Sequence, residues 1–143
     1  MIEPAAPIGP CLVDTSAWIE LLRATGSPVD LALAGALRER VALRVTGIVL
    51  QEVLQGCRDE AHTRDVAKLL RACRGVHAVF PETHEHAASL YRRCRAAGRR
   101  VRGTVDCLIA AVALEHDLAV LAHDRDFGVL HAVCGLRIVR PAA

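Results

Sequence analysis

The sequence predicts an α/β fold: three layers, α/β/α, around a central, mostly parallel sheet of four to five strands. Three observations predict it. Short runs rich in Val and Leu end at Asp, Thr or a turn residue, and they alternate with longer stretches whose apolar residues recur at helical spacing. No hairpin signal joins one apolar run to the next, so successive strands are expected to run parallel with helices on both faces. The chain has 143 residues, 52% of them hydrophobic but only 3% aromatic, which is the size of one domain with an aliphatic core.

The leader, residues 1–10, holds three prolines and precedes a single domain expected over residues 11–143. Cys11-Leu12-Val13 reads as a buried strand that stops at Asp14, where a helix begins. Ser27-Pro28-Val29-Asp30 combines a cap, a proline at the first helical position and an acid at the third, and predicts a helix to Arg40. Strand two is expected over Val41 to Val45, with Thr46 capping a helix through Gly56. A further helix runs from Asp59 to Arg74, with Gly75 as its stop, and strand three from Val76 to Phe80. Ala87, Leu90, Tyr91 and Cys94 mark the inner stripe of the next helix, which ends at Gly98. Thr104 is expected to cap a helix whose apolar side is Val105, Leu108, Ile109 and Val112. Leu118 to Leu121 forms a strand, Phe127 to Val133 a short helix, and Leu136 to Val139 a last strand.

Composition narrows the chemistry. No apolar run reaches the roughly 18 residues of a membrane span, and the start lacks a basic segment ahead of an apolar one, so a soluble, non-secreted protein is expected. Six cysteines contain no CxxC pair, which argues against structural zinc and for reduced thiols in a cytoplasmic protein. Net charge is only +2, but Arg92, Arg93, Arg95, Arg99, Arg100 and Arg102 cluster directly ahead of Asp106. Guanidinium forks suit phosphates, so Arg99, Arg100 and Arg102 are candidate nucleic-acid phosphate contacts; a solvated helix face reads equally well.

In parallel sheets ligands bind beyond the carboxyl ends of the strands, which makes the acids there the first suspects. Asp14 ends strand one, where it serves either as a helix cap or as a site residue. Asp106 lies in the first turn of a helix, whose dipole favours an ionised carboxylate. Asp124 and Asp126 follow the Leu118 to Leu121 strand; Asp124, nearer the strand end, is preferred as the site residue and Asp126 as a cap with an accessory part. Glu52, beside Gln51 and Gln55, carries the weakest pattern. Carboxylates converging on one cleft repel unless a cation offsets them, and a hard divalent ion with its waters is the natural partner. Neither GxSxG nor GxxxxGK[ST] occurs to offer other chemistry.

Leu12-Val13-Asp14-Thr15-Ser16-Ala17-Trp18, Val49 to Gly56 around Glu52, Thr104-Val105-Asp106-Cys107-Leu108-Ile109-Ala110-Ala111 and His123-Asp124-Arg125-Asp126-Phe127 follow one another across almost the whole chain. In that order they resemble the motifs of PIN-domain ribonucleases of the VapC toxin type. The resemblance implies a PIN-like fold and an endoribonuclease with Asp14, Glu52, Asp106 and Asp124 around Mg²⁺ or Mn²⁺, and Asp126 as an accessory ligand. It also implies supporting hydroxyls from Thr15 or Ser16 and from Thr104, a homodimer, and a cognate VapB-like antitoxin. Trp18 is then either a core or a dimer residue. Two departures stand out: Ala122 where many relatives carry threonine, and a leader longer than is usual before the first strand.

Other functions fit less well. A haloacid-dehalogenase-like phosphatase needs a second aspartate two residues after Asp14, where Ser16 stands, and a receiver domain needs a lysine at a strand end, whereas Lys68 falls within a helix. A non-cleaving PIN-fold binding module would not need all four acidic positions filled. A housekeeping RNA-processing nuclease would keep them, and differs from a toxin in lacking an adjacent antitoxin gene.

Overall fold

The computed structural model describes residues 7–142. Its elements run β1 (Leu12–Val13), α1 (Thr15–Leu22), α2 (Pro28–Arg38), β2 (Arg44–Thr46), α3 (Gly47–Gln55), α4 (Glu60–Arg71), β3 (Arg74–Val76), α5 (Glu82–Ala96), α6 (Thr104–Glu115), β4 (Val120–Leu121) and α7 (Asp126–Cys134). The strands form one parallel sheet in the order β3-β2-β1-β4. The expected last strand survives only as a bridge between Val120 and Ile138, which extends the sheet past β4. The expected PIN-like α/β/α architecture is therefore present.

Leu12, Val13, Val120 and Leu121 are fully buried, as parallel strands covered on both faces must be. Helix α6 is the central support: Cys107, Ile109, Ala110, Ala111, Val112 and Ala113 are all buried, so it is enclosed nearly all round instead of along one stripe. Its run of alanines keeps the helix thin enough for α5 and α7 to pack against it. Trp18 is wholly enclosed in the core. Of the expected leader, residues 1–6 lie outside the described residues, and Ile8 is buried against the core. No described helix is long and apolar enough to cross a membrane.

The helix starts follow the sequence where a cap is present. Ser27 accepts from the Asp30 N–H at 3.2 Å, Thr46 from Val49 at 3.3 Å and Asp59 from His62 at 2.7 Å. Several expectations need correction. Strand two lies at Arg44–Thr46 rather than at Val41 to Val45, because pairing begins where the Arg44 N–H reaches the Cys11 carbonyl at 2.9 Å. Strand three lies at Arg74–Val76 and takes in Gly75, the expected helix stop, while α4 has already ended at Arg71. Its partner β2 ends at Thr46 to cap α3, so residues beyond Val76 have no neighbour to pair with; Val79 and Phe80 are exposed instead. Tyr91, expected on the inner stripe of α5, is exposed. The cap position of α6 falls on Gly103, with Thr104 already the first helical residue.

Core packing sets the stability. Leu90→Ala, at a fully buried position on α5, should cost about 2–5 kcal/mol in urea denaturation. Leu31→Ala, at an exposed position on α2, should stay within about 0.5 kcal/mol.

Candidate functional site

The sheet grows outward from β1 through β2 to β3, then returns to the other side of β1 with β4. The crevice beyond the ends of β1 and β4 is the switch point at which such sheets bind ligands. Asp14 follows β1 directly, and its backbone N–H donates to the Leu121 carbonyl at 2.9 Å, which fixes it to the end of β4. Asp124 and Asp126 lie on the segment leaving β4, and Asp106 enters from the first turn of α6.

Hydroxyls adjacent to Asp14 orient the acids. The Ser16 hydroxyl donates to Asp14 Oδ2 at 2.5 Å and accepts the His123 N–H at 2.8 Å, so one side chain joins the start of α1 to the β4–α7 loop. The Ser16 N–H donates to the same Asp14 oxygen at 3.0 Å. The Thr15 hydroxyl donates to Glu52 Oε1 at 2.9 Å and holds the α3 carboxylate towards the crevice. Asp14 thus caps α1 and lies buried at the crevice. Among the described residues the Thr104 hydroxyl makes no hydrogen bond, and Thr104 is exposed at the start of its helix.

One carboxylate oxygen each from Asp106, Asp124 and Asp126 lies within 4.8 Å of the others. Oxygens bound to one Mg²⁺ at about 2.1 Å sit up to about 4.2 Å apart, so three hard donors within 4.8 Å of one another need only a small closing movement to hold a single divalent ion. The two acids after β4 divide their roles differently from the expectation. Asp124 Oδ1 accepts the Asp126 N–H at 2.9 Å without capping α7, whose cap position is Arg125 and has no side-chain cap, while Asp126 is buried and accepts the Arg102 N–H at 3.0 Å.

The electrostatics follow from this crowding. Burial raises the Asp106 carboxyl, and the charges of Asp14, Asp124, Asp126 and Glu52 raise it further, to about 7. Burial also raises Asp14, opposed by the hydrogen bonds from Ser16 and Thr15. Asp106 is therefore the group that feels every other acid, including Glu52, the weakest of them by pattern.

Two contacts had no counterpart in the sequence reading. His123 Nε2 meets Glu20 Oε1 at 2.8 Å, and Glu20 is four residues after Ser16 on the same face of α1, a spacing that could have flagged it. Arg102, a candidate phosphate contact by sequence, lies over the acids, with Nη2 at 3.6 Å from Asp124 Oδ1 and Nε at 3.6 Å from Asp126 Oδ2. Arg99 and Arg100 are exposed and line a neighbouring cleft of about 320 Å³ with Tyr91 and Arg95.

Known proteins resemble the chain over this whole span. The PIN domain family matches residues 11–132. Ribonuclease VapC11 of Mycobacterium tuberculosis is 33% identical over 88% of this chain and 95% of its own length. Ribonuclease VapC51 of the same organism is 32% identical over 87% of each. The fold also matches a chain of the DNA-bound VapBC complex of Salmonella typhimurium, at TM-score 0.71 and 18% identity over 92% of this chain and 98% of that one.

A raised Asp106 makes stability depend on pH with a definite sign. The folded protein holds a proton there that the unfolded chain gives up near 3.8, so the stabilisation is complete below that value and is lost as pH rises through about 7. In EDTA, Asp106→Asn should be more resistant to urea than wild type at pH 8, with the difference shrinking at pH 5.5. Equal resistance at pH 8 would contradict the crowding.

Proposed function

The chain belongs to the PIN-domain family, in its VapC branch, and on that premise we propose that it is a divalent-cation-dependent endoribonuclease acting as the toxin of a VapBC-type pair. The observation that carries this reading is the grouping of Asp106, Asp124 and Asp126 within 4.8 Å beside the buried Asp14. Bound Mg²⁺ or Mn²⁺ would supply an activated water and offset charge on the phosphodiester. The residues proposed to hold it are Asp106, Asp124 and Asp126, whose oxygens group together, with Asp14 and Glu52 beside them. Thr15 and Ser16 hold Glu52 and Asp14 in place through their hydroxyls. With several carboxylates facing it, a phosphodiester approaches the crevice unfavourably until a cation is present, which makes cation loading a condition for substrate approach.

The reading extends to a cytoplasmic protein that forms a homodimer and pairs with a VapB-like antitoxin. An apolar cleft of about 490 Å³ between α5 and the start of α6, lined by Ile48, Ala87, Tyr91, Val105 and Leu108 among others, offers surface for either contact. A cationic side chain from the antitoxin entering among the acids would oppose cation loading, since it would compete for the same oxygens.

Purified protein should cut RNA with Mg²⁺ or Mn²⁺ and stop with EDTA. Asp106→Asn should lower cleavage by at least roughly 100-fold in a gel assay, and unchanged cleavage contradicts the assignment. Co-expression with the product of an adjacent short reading frame should give a stable complex that no longer cleaves RNA. Complex formation without inhibition argues against occlusion of the site, and no complex favours a housekeeping nuclease.

A further inference from the structure

Resting on the reading of the crevice as a cation-dependent RNA-cleaving site, we propose that Arg102 is an internal counter-ion: it competes with the divalent ion for Asp124 and Asp126 and moves to an RNA phosphate once the ion is bound. Its guanidinium faces both acids at 3.6 Å, longer than the 2.7–2.9 Å or so of a tight charge-assisted fork. The side chain is 62% exposed, so the pair is loose and exchangeable.

The root of the side chain is held separately from its tip. The Arg102 N–H donates to Asp126 Oδ2 at 3.0 Å, and Asp126 is only 5% exposed. The guanidinium can leave the acids while the backbone stays anchored beside them. Asp124 and Asp126 are also two of the three acids whose oxygens cluster at metal-ligand spacing, so guanidinium and divalent ion draw on the same lone pairs. The chain on its other side already leads to phosphate-compatible groups, because Arg95, Arg99 and Arg100 line the adjoining cleft. Arginine stays charged throughout, so the exchange requires no proton. Arg102 thus offsets part of the charge of Asp124 and Asp126 before loading and contributes a phosphate contact afterwards.

The test compares wild type, Arg102→Ala and Arg102→Lys by calorimetric titration with Mn²⁺ in the absence of RNA. Arg102→Ala should bind Mn²⁺ about two- to fivefold more tightly, the increment of one exposed ion pair. Arg102→Lys, which keeps the charge without the fork, should fall between. Exposure of the side chain and retention of its backbone bond leave the fold intact in both variants, which circular dichroism checks.

A second measurement follows binding of a labelled single-stranded RNA in Ca²⁺ and in EDTA. In Ca²⁺, Arg102→Ala should weaken binding and flatten its salt dependence by about 0.7 in log–log slope, whereas in EDTA it should change neither. Equal or weaker Mn²⁺ affinity in Arg102→Ala overturns the counter-ion role, and an equal loss of RNA affinity in both media overturns the exchange. Absence of Mn²⁺ binding by wild type overturns the cation-dependent reading itself, an outcome distinct from equal binding by all three proteins.

Discussion

Carboxylates gathered in one crevice repel one another, and everything else about the site answers to that repulsion. The sheet imposes the gathering. β1 and β4 are neighbours whose ends both release the chain into the same space, and the Asp14 N–H bonded to the Leu121 carbonyl ties the two ends together. α6, enclosed on nearly every side, presents Asp106 from a helix start that cannot retreat. The proton held on Asp106 up to about pH 7 is the electrostatic result. In stability alone such a site is a cost, and strongly perturbed acids of this kind cluster at functional sites.

Relief comes in three forms. Hydrogen bonds are the first: Ser16 and Thr15 donate to Asp14 and Glu52, and the N–H groups of Asp126 and Arg102 serve Asp124 and Asp126. The second is the guanidinium of Arg102, close enough to attract both acids after β4 but not close enough to lock them. The third, in the proposed function, is a divalent cation. Because hydrogen bonds lower the charge density of each acid without consuming all its lone pairs, they orient the ligands and leave oxygen available.

The fold class was legible because strands covered on both faces read as continuous apolar runs, and caps such as Ser27, Thr46 and Asp59 announce helices locally. The limits of β2 and β3 were not, since a parallel strand is only as long as its partner allows and the partner is distant in sequence. Val79 and Phe80 have strand-like chemistry but lie past the end of β2. Asp14, Asp106 and the two acids after β4 were readable from their places at strand and helix ends. What each of the last two does was not, because the choice depends on Arg102, whose side chain reaches them across 22 and 24 residues of chain. The hydroxyl of Ser16 shows the same limit: its bond to Asp14 is local, while its bond to His123 is visible only in three dimensions.

The claim that this crevice holds a catalytic cation is tested most directly by anomalous diffraction from crystals soaked in Mn²⁺, paired with RNA cleavage under the same ionic conditions. The expected result is a peak bounded by the carboxylates of Asp106, Asp124 and Asp126, beside Asp14. Cleavage that proceeds with no peak in the crevice, or with Mn²⁺ bound only elsewhere, would contradict it.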